Sequence, residues 1–272
     1  VLVNGEVYCW GDNHAGQLGL GDYDIRPTPV RVPLPATASV ATGREHACAL
    51  GMDRGVRCWG YNGRGQVGDG TLINQPSPVA VQTNVDALAL GDEHSCIQSG
   101  NQVSCWGNND GGQLGDGTQT SRLSAVAVSV MATSIRAGGS ATCAQKEGGG
   151  VACWGVNESN LFDAPNAGYY VPTPTDSSQT QLFWLGGTTA CADGACWGSN
   201  YLGNVGAGDF GYHGPSPVLD LPGGPSTFAI ASSHTCASRG GQIYCWGENA
   251  SGEIGAGTSS SATFPATTVA FP

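Results

Sequence analysis

The chain has 272 residues, 44 of them glycine and 15 proline, with only 11% Asp, Glu, Lys and Arg, and this composition excludes a helix-rich fold in favour of many short strands joined by tight turns. Its formal charge of −11, with Lys146 the single lysine, repels phosphate backbones and argues against nucleic acid as a partner. No apolar run approaches the roughly 20 residues that span a bilayer, so no membrane insertion is expected.

The first predicted unit carries Cys9-Trp10-Gly11-Asp12-Asn13-His14-Ala15-Gly16-Gln17-Leu18-Gly19. Close copies follow from Cys58, Cys105 and Cys245, and weaker ones from Cys153 and Cys196. The six Cys-Trp-Gly units stand 49, 47, 48, 43 and 49 residues apart, and they hold six of the seven tryptophans. A repeat of this length is one supersecondary unit whose apolar faces are covered by its neighbours.

Each unit reads in the same order. An apolar strand leads into Gly-x-x-His-x-Cys, as from Val85 to Cys96. A hairpin returns through a strand ending in Cys-Trp-Gly, such as Val103 to Gly107. A loop of the type Gly-Gln-Leu-Gly-Asp-Gly-Thr follows, and Pro-x-Pro-Val opens a last strand at Pro27, Pro76 and Pro215. Proline donates nothing to a ladder, which places that strand outermost in its sheet. Four strands per repeat of about 48 residues describe the blade of a β-propeller with six or seven blades. The expectation is an all-β fold, residues 1–272 as one domain, with the Trp packing between blades.

Five units place a second cysteine shortly before the Cys-Trp cysteine: Cys48 with Cys58, Cys96 with Cys105, Cys143 with Cys153, Cys191 with Cys196, and Cys236 with Cys245. If Asp193-Gly194 is a two-residue turn, Ala192 and Ala195 close the hairpin and Cys191 faces Cys196. That pairing is a non-hydrogen-bonded site, where side chains come closest. The same count from Gly100-Asn101 and Gly240-Gly241 gives two more pairs, and the longer loops at Gly51–Gly55 and Gly148–Gly150 leave the cysteines opposed. Register therefore predicts five cross-strand disulfides and an oxidising compartment, either extracellular, at the cell surface or periplasmic. Zinc is the alternative, because His46, His94 and His234 each stand two residues before a cysteine. Ala141 and Thr189 replace that His in two units while the Cys pair persists, which favours disulfides.

These motifs resemble the repeats of the regulator of chromosome condensation family. The Gly-x-x-His-x-Cys strand, the Trp-Gly after it and Gly-Gln-Leu-Gly-Asp-Gly-Thr carry the resemblance, and the extra cysteine pairs look like those of secreted bacterial members. The resemblance implies a β-propeller, usually with seven blades. In the nuclear member an inserted loop catalyses nucleotide exchange on a GTPase, and this sequence shows no such insertion. A secreted bacterial relative inhibits β-lactamases through one propeller face, so activity does not follow from this fold.

Two loops depart from the repeat. After Cys153-Trp154-Gly155 the Gly-Gln-Leu-Gly-Asp-Gly-Thr segment is lost, and after Cys196-Trp197-Gly198 it is altered. Half of the eight tyrosines gather there: Tyr169, Tyr170, Tyr201 and Tyr212, with Phe162, Phe210 and His213 beside them. Either these residues replace lost turn packing, or they form a contact patch for a protein or surface ligand. The Asp of Gly-Asp-Gly-Thr (Asp69, Asp116) could bind calcium, but turn chemistry alone accounts for Asp-Gly. The repeated His reads as a buried hydrogen-bonding residue, since a catalytic group would be singular. Asn157-Glu158-Ser159 and Asn249-Ala250-Ser251 fit the glycosylation sequon. No nucleophile–base set, phosphate loop or unique carboxylate pair is present, so neither enzymatic activity nor a cofactor is expected. The leading reading is a secreted non-catalytic binding module, and the alternative is a structural subunit of an extracellular appendage or envelope assembly.

The ends are also distinctive. The sequence opens on Val1 without an initiator Met or signal peptide and reads as a processed or excised piece. Nine residues before Cys9, where its partner belongs, is the position preceding Val1. The expectation is that ring closure uses a strand from outside this sequence, upstream or in a neighbouring subunit, and that Cys9 bonds there.

Overall fold

A computed structural model describes residues 2–157, 169–174, 184–192, 195–208, 212–217, 227–230, 234–239, 242–249 and 260–268. Every element among them is a strand, and every pairing is antiparallel. The chain forms two compact units, Val1–Val156 with Gly168–Leu182, and Asn157–Ala167 with Phe183–Pro272.

In the first unit β1 (Leu2–Val3), β2 (Glu6–Gly11) and β3 (Arg26–Arg31) form a short sheet. A full four-stranded sheet follows: β4 (Thr37–Thr42), β5 (His46–Gly51), β6 (Val56–Gly60) and β7 (Gln75–Gln82), paired in chain order. The next sheet has seven strands: β8 (Ala87–Leu90), β9 (His94–Ser99), β10 (Gln102–Gly107), β11 (Arg122–Gly138), β12 (Ala141–Lys146), β13 (Val151–Gly155) and β14 (Tyr169–Pro174). It is two repeats joined through β11, which pairs with β10 by its first half and with β12 by its second. The sequence predicts a separate outer strand here. Between Arg122 and Ala137, however, there is neither Pro nor Gly, whereas Pro33, Pro35 and the positive-φ Asn84 break the other two connections in this unit. With nothing to interrupt it, the strand runs on.

The second unit repeats the four-stranded sheet twice: β15 (Trp184–Leu185), β16 (Thr189–Ala192), β17 (Ala195–Ser199) and β18 (Tyr212–Pro217), then β19 (Thr227–Ile230), β20 (His234–Arg239), β21 (Gln242–Asn249) and β22 (Ser260–Thr268). The strands with Pro-x-Pro, β3, β7, β14 and β18, each pair on one side only, as expected of outermost strands.

All five predicted cysteine pairs are bonded, each with Cα atoms 4.1 Å apart, the short spacing of a non-hydrogen-bonded pair. Ala192 opposes Ala195 and Ser99 opposes Gln102, so the two-residue hairpin count holds. Cys9 carries a free, half-buried thiol. The pairs Leu2–Val7 and Val3–Glu6 fix the register of β1 on β2.

Successive repeats are joined by the tryptophans. The indole Nε1 of Trp59 donates to the Gln17 carbonyl, that of Trp106 to Gln66, and that of Trp246 to Asn204, each at 2.9 Å. The ring lies on the second glycine of Gly-Gln-x-Gly in the repeat before it. A Cβ on Gly115 would stand 2.7 Å from Cδ1 and Nε1 of Trp154, and one on Gly19 2.8 Å from Nε1 of Trp59. Trp59, Trp106, Trp154 and Trp246 are fully buried, whereas Trp10 is 46% exposed. The tryptophan outside the motif, Trp184, packs on Phe228 at 5.6 Å between ring centres, and Phe228 meets Trp246 edge-on.

Gly115→Ala and Gly70→Ala separate packing from backbone strain. Both glycines have positive φ, +71° and +84°, but nothing lies within 4 Å of a Cβ on Gly70. Gly70→Ala should cost about 1 kcal/mol from strain alone, and Gly115→Ala roughly 3 kcal/mol or more. Urea titration measures both. Equal costs would show that the tryptophan does not depend on the glycine beneath it.

Candidate functional site

The loop between the Cys-Trp-Gly strand and the outer strand is built around one asparagine. Asn62 accepts from Val67 N through Oδ1 at 3.0 Å, and its Nδ2 lies 3.1 Å from Asp69 Oδ1, 3.0 Å from Thr71 O and 3.1 Å from Ile73 O. Asn109 does the same with Leu114 N, Asp116 Oδ1, Thr118 O and Thr120 O. This residue recurs as Asn13, Asn62, Asn109, Asn157, Asn200 and Asn249, all between 0% and 1% exposed. Its recurrence two residues after Trp-Gly is visible in the sequence, but its role is not, because an asparagine in a glycine-rich loop reads first as turn chemistry. Burial argues against the sequon reading, because the Asn157 and Asn249 side chains are 1% and 0% exposed and leave no room for a glycan in the folded chain.

The same geometry answers the calcium reading. The asparagine amide nitrogen occupies the centre of the oxygen cage where a cation would sit. The remaining carboxylate oxygens are taken too: Asp69 Oδ2 by Gln75 Nε2 at 2.6 Å, Asp116 Oδ2 by Arg122 at 2.8 and 2.6 Å. Burial pushes both carboxyls up, but the hydrogen bonds from Thr71, Asn62 and Gln75 to Asp69, and those from Thr118 and Arg122 with the Arg122 charge at Asp116, together outweigh it, so both stay below the usual carboxylate range.

The repeated histidines are structural. Ser95 Oγ donates to the Gln66 carbonyl at 2.9 Å, so it can only accept from His46 Nε2, 3.0 Å away. Thr142 Oγ1 likewise donates to Gln113 O and accepts from His94 Nε2 at 2.8 Å. Both imidazoles are therefore the Nε2–H tautomer, and both Nδ1 atoms are buried without a partner. Desolvation drives the pKa of His46 down to about 3 and that of His94 to about 4. Neither ring can act as a base near neutrality.

Of the predicted contact residues, Tyr201 is the one whose side chain the structure describes, and it is 63% exposed beside Leu202 at 39%. The sequence suggests that this loop has lost the repeat's turns, but it has not. Asn200 Oδ1 accepts from Val205 N at 2.7 Å, and Gly203 N and Gly206 N close the same successive turns as Gly112 N and Gly115 N. Asn204 fills the glutamine position and hid the match. Tyr201-Leu202 stand where His14-Ala15, Gly63-Arg64 and Asp110-Gly111 stand in other loops. Tyr201 thus tips an intact turn and replaces no lost packing.

Tyr212 pairs with Ser199 and His213 with Gly198, at the start of β18 and at the same end of the hairpin as Tyr201. Tyr169 pairs with Gly155 at the start of β14, with Tyr170 next, in the other compact unit. Phe162 and Phe210 lie outside the described residues. A cavity of about 280 Å³ borders β2, lined by Cys9, Trp10, Leu18, Gly43, His46 and Ala47 among others, and contains none of these contact residues.

Models of the regulator of chromosome condensation (RCC1) repeat match residues 4–50 and 56–98, and a second model of that repeat matches 38–66. No curated protein matches the chain in sequence. Among solved structures it is similar to human WBSCR16, with 23% identity over 97% of this chain and 77% of that one, at a TM-score of 0.79. It is also similar to Prp20p from Saccharomyces cerevisiae, described with its binding to Gsp1p and histones (21% identity, 97% and 74% covered, TM-score 0.80). A third match is yeast RCC1 (Prp20) bound by Kap60, with 20% identity, 97% and 72% covered, and a TM-score of 0.78. At these identities the likeness concerns the fold, a β-propeller.

The depressed histidine values give a pH window. An unfolded His titrates near 6.5, and the folded ones at about 3 and about 4, so between those values the unfolded chain binds more protons and stability falls as pH falls. The melting temperature should hold above about pH 6.5 and decline towards pH 4. His46→Gln with His94→Gln, which keeps a neutral donor, should flatten that decline. An unchanged acid slope in the double variant would assign it to other groups.

Proposed function

We propose that this chain, which carries regulator of chromosome condensation repeats and folds as a β-propeller, is a secreted protein-binding module that performs no chemistry. Its contact surface is the loop end of the repeat that begins at Cys196. The observation that carries this reading is Tyr201, a large aromatic ring left 63% exposed at the tip of a loop whose backbone is otherwise the repeat's own. A rigid loop presenting an exposed Tyr loses little entropy on binding. Tyr212 and His213 start β18 at the same hairpin end and belong to this surface in this reading, and Tyr169 and Tyr170 are contact candidates of the other compact unit. Five cross-strand disulfides support export to an oxidising space, the cell exterior or periplasm. The solved relatives that engage Gsp1p, histones and Kap60 support a protein as the class of partner.

Two measurements test it. Tyr201→Ser should leave stability within about ±0.5 kcal/mol, as for an exposed site. Passing the native extracellular fraction over immobilised protein should retain proteins that the variant with Tyr169, Tyr170, Tyr201 and Tyr212 all changed to Ser no longer retains. Identical retention by the two would move the contact surface elsewhere, and a fall of several degrees in the melting temperature would return these tyrosines to packing.

A further inference from the structure

Of the residues that follow the buried asparagine at the loop tips, His14, Gly63, Asp110 and Tyr201, one titrates near neutral pH, and it stands between two carboxylates. His14 Nδ1 is in hydrogen-bond contact with Asp12 Oδ2, and Nε2 lies 3.7 Å from Glu45 Oε1. Asp12 belongs to the same loop, directly after β2, whereas Glu45 belongs to the turn between β4 and β5. The imidazole therefore joins the tip of the first loop to the second repeat.

Each side of this contact is anchored separately. In the loop, His14 N donates to Asp12 Oδ1 and Gln17 Nε2 to Asp12 Oδ2, both at 3.3 Å, and Leu18 N donates to Asn13 Oδ1 at 3.0 Å. In the turn, Glu45 O accepts from Tyr61 N at 2.8 Å, and Arg44 N donates to Asp92 O of the third repeat at 3.0 Å. The other charges of the two segments are engaged elsewhere. Asp22 and Asp24 pair with Arg26, Arg44 acts on Asp92, and Arg64 on the next loop pairs with Asp110 at 3.2 Å. A protonated imidazole carries an N–H at each nitrogen and can donate to both carboxylates, but a neutral one carries a single N–H. The closer contact keeps that proton on Nδ1 with Asp12, so Nε2 then turns a lone pair on Glu45. The Asp12 hydrogen bond and charge raise the His14 pKa above 6.5 against desolvation, and the Glu45 charge adds to them. His14 in turn holds the Asp12 carboxyl below the usual range.

We propose that His14 is an acid-closed clip between the first two repeats: its imidazolium bridges Asp12 and Glu45, and loss of the Nε2 proton releases Glu45 and the loop tip. The clip is closed below the raised pKa of the ring and opens as pH rises through it. That sense is opposite to His46 and His94, where burial favours the neutral ring. Acid therefore tightens this junction while it weakens the core. The side chains of His14, Asp12 and Glu45 are 58%, 56% and 31% exposed, so the contact is weak and added salt loosens it.

An NMR titration of the imidazole resonances of the intact chain tests the proposal, with His14 assigned by its loss in His14→Gln. The His14 midpoint should lie above 6.5, the ordinary value for histidine. Glu45→Gln should lower it, Asp12→Asn should lower it further, and high salt should bring it back towards 6.5. The amide resonances of Arg44 and Glu45, across the junction, should move with the same midpoint in the wild type and lose that transition in His14→Gln. The substituted side chains are on the surface, so the variants keep the fold, which the remaining amide spectrum checks. A midpoint at or below 6.5 overturns the proposal, as does one that Glu45→Gln leaves unmoved. Arg44 and Glu45 amides that ignore the His14 titration would also overturn it, because the ring would then titrate without holding the second repeat.

Discussion

The contact on which the rest of this architecture depends is the backbone carbonyl at the glutamine position of Gly-Gln-x-Gly, which receives the next indole from Trp59, Trp106 and Trp246, though not from Trp154, whose buried Nε1 has no partner. In Gln66 it accepts two hydrogens from the next repeat, one from the Trp106 indole and one from the Ser95 hydroxyl, both at 2.9 Å. Asn204 does the same for Trp246 and Thr235. Both lone pairs are then used, and two side chains from different strands of the following sheet are fixed to one point. The indole could not reach that carbonyl if the glycine beyond it carried a side chain. Ring, carbonyl and glycine are therefore one device, and the Cys-Trp-Gly and Gly-Gln-x-Gly motifs recur together because each half meets its complement in the adjacent repeat.

The histidines extend this logic. His46 donates to Ser95 and His94 to Thr142, each reaching the hydroxyl that the next repeat places one residue after its own His position. A buried donor left without an acceptor costs about 1–3 kcal/mol, so His and hydroxyl are useful as a pair and harmful apart. In the fourth and fifth repeats Ala141 and Thr189 take the His position. The cross-strand cysteines close bonds inside a single repeat, and they persist where the His pair does not.

Much of this was legible in the sequence because it depends on counting. Cys191 and Cys196 are separated by a two-residue turn and can only face each other. The outermost place of β7 and β18 follows from prolines that cannot donate. The unreadable parts involve one residue serving several distant partners. Asn62 holds four oxygens across eleven residues of loop, and nothing local to Gly60-Tyr61-Asn62 announces that. The fusion of two repeats through β11 is carried by what is absent, the prolines and glycines missing between Arg122 and Ala137. In the fifth loop the turns are set by Asn200, Gly203 and Gly206, which are kept, and the substituted residues lie at positions the turns do not constrain.

That last distinction bears on where function resides. A buried residue such as Trp106, Asn109 or Gln113 is determined by its neighbours in the next strand or loop, and its recurrence carries information about folding alone. At the loop tip the backbone is the same in four repeats, yet the residues are His14-Ala15, Gly63-Arg64, Asp110-Gly111 and Tyr201-Leu202. The turn hydrogen bonds are made by the main chain and the asparagine, so they are indifferent to this choice. A position free of folding constraint in four copies, and filled in one by two exposed apolar side chains, has a cost in solubility and no return in stability. Departures of this kind, on a backbone that does not require them, are where an interaction outside the repeat can select the residue.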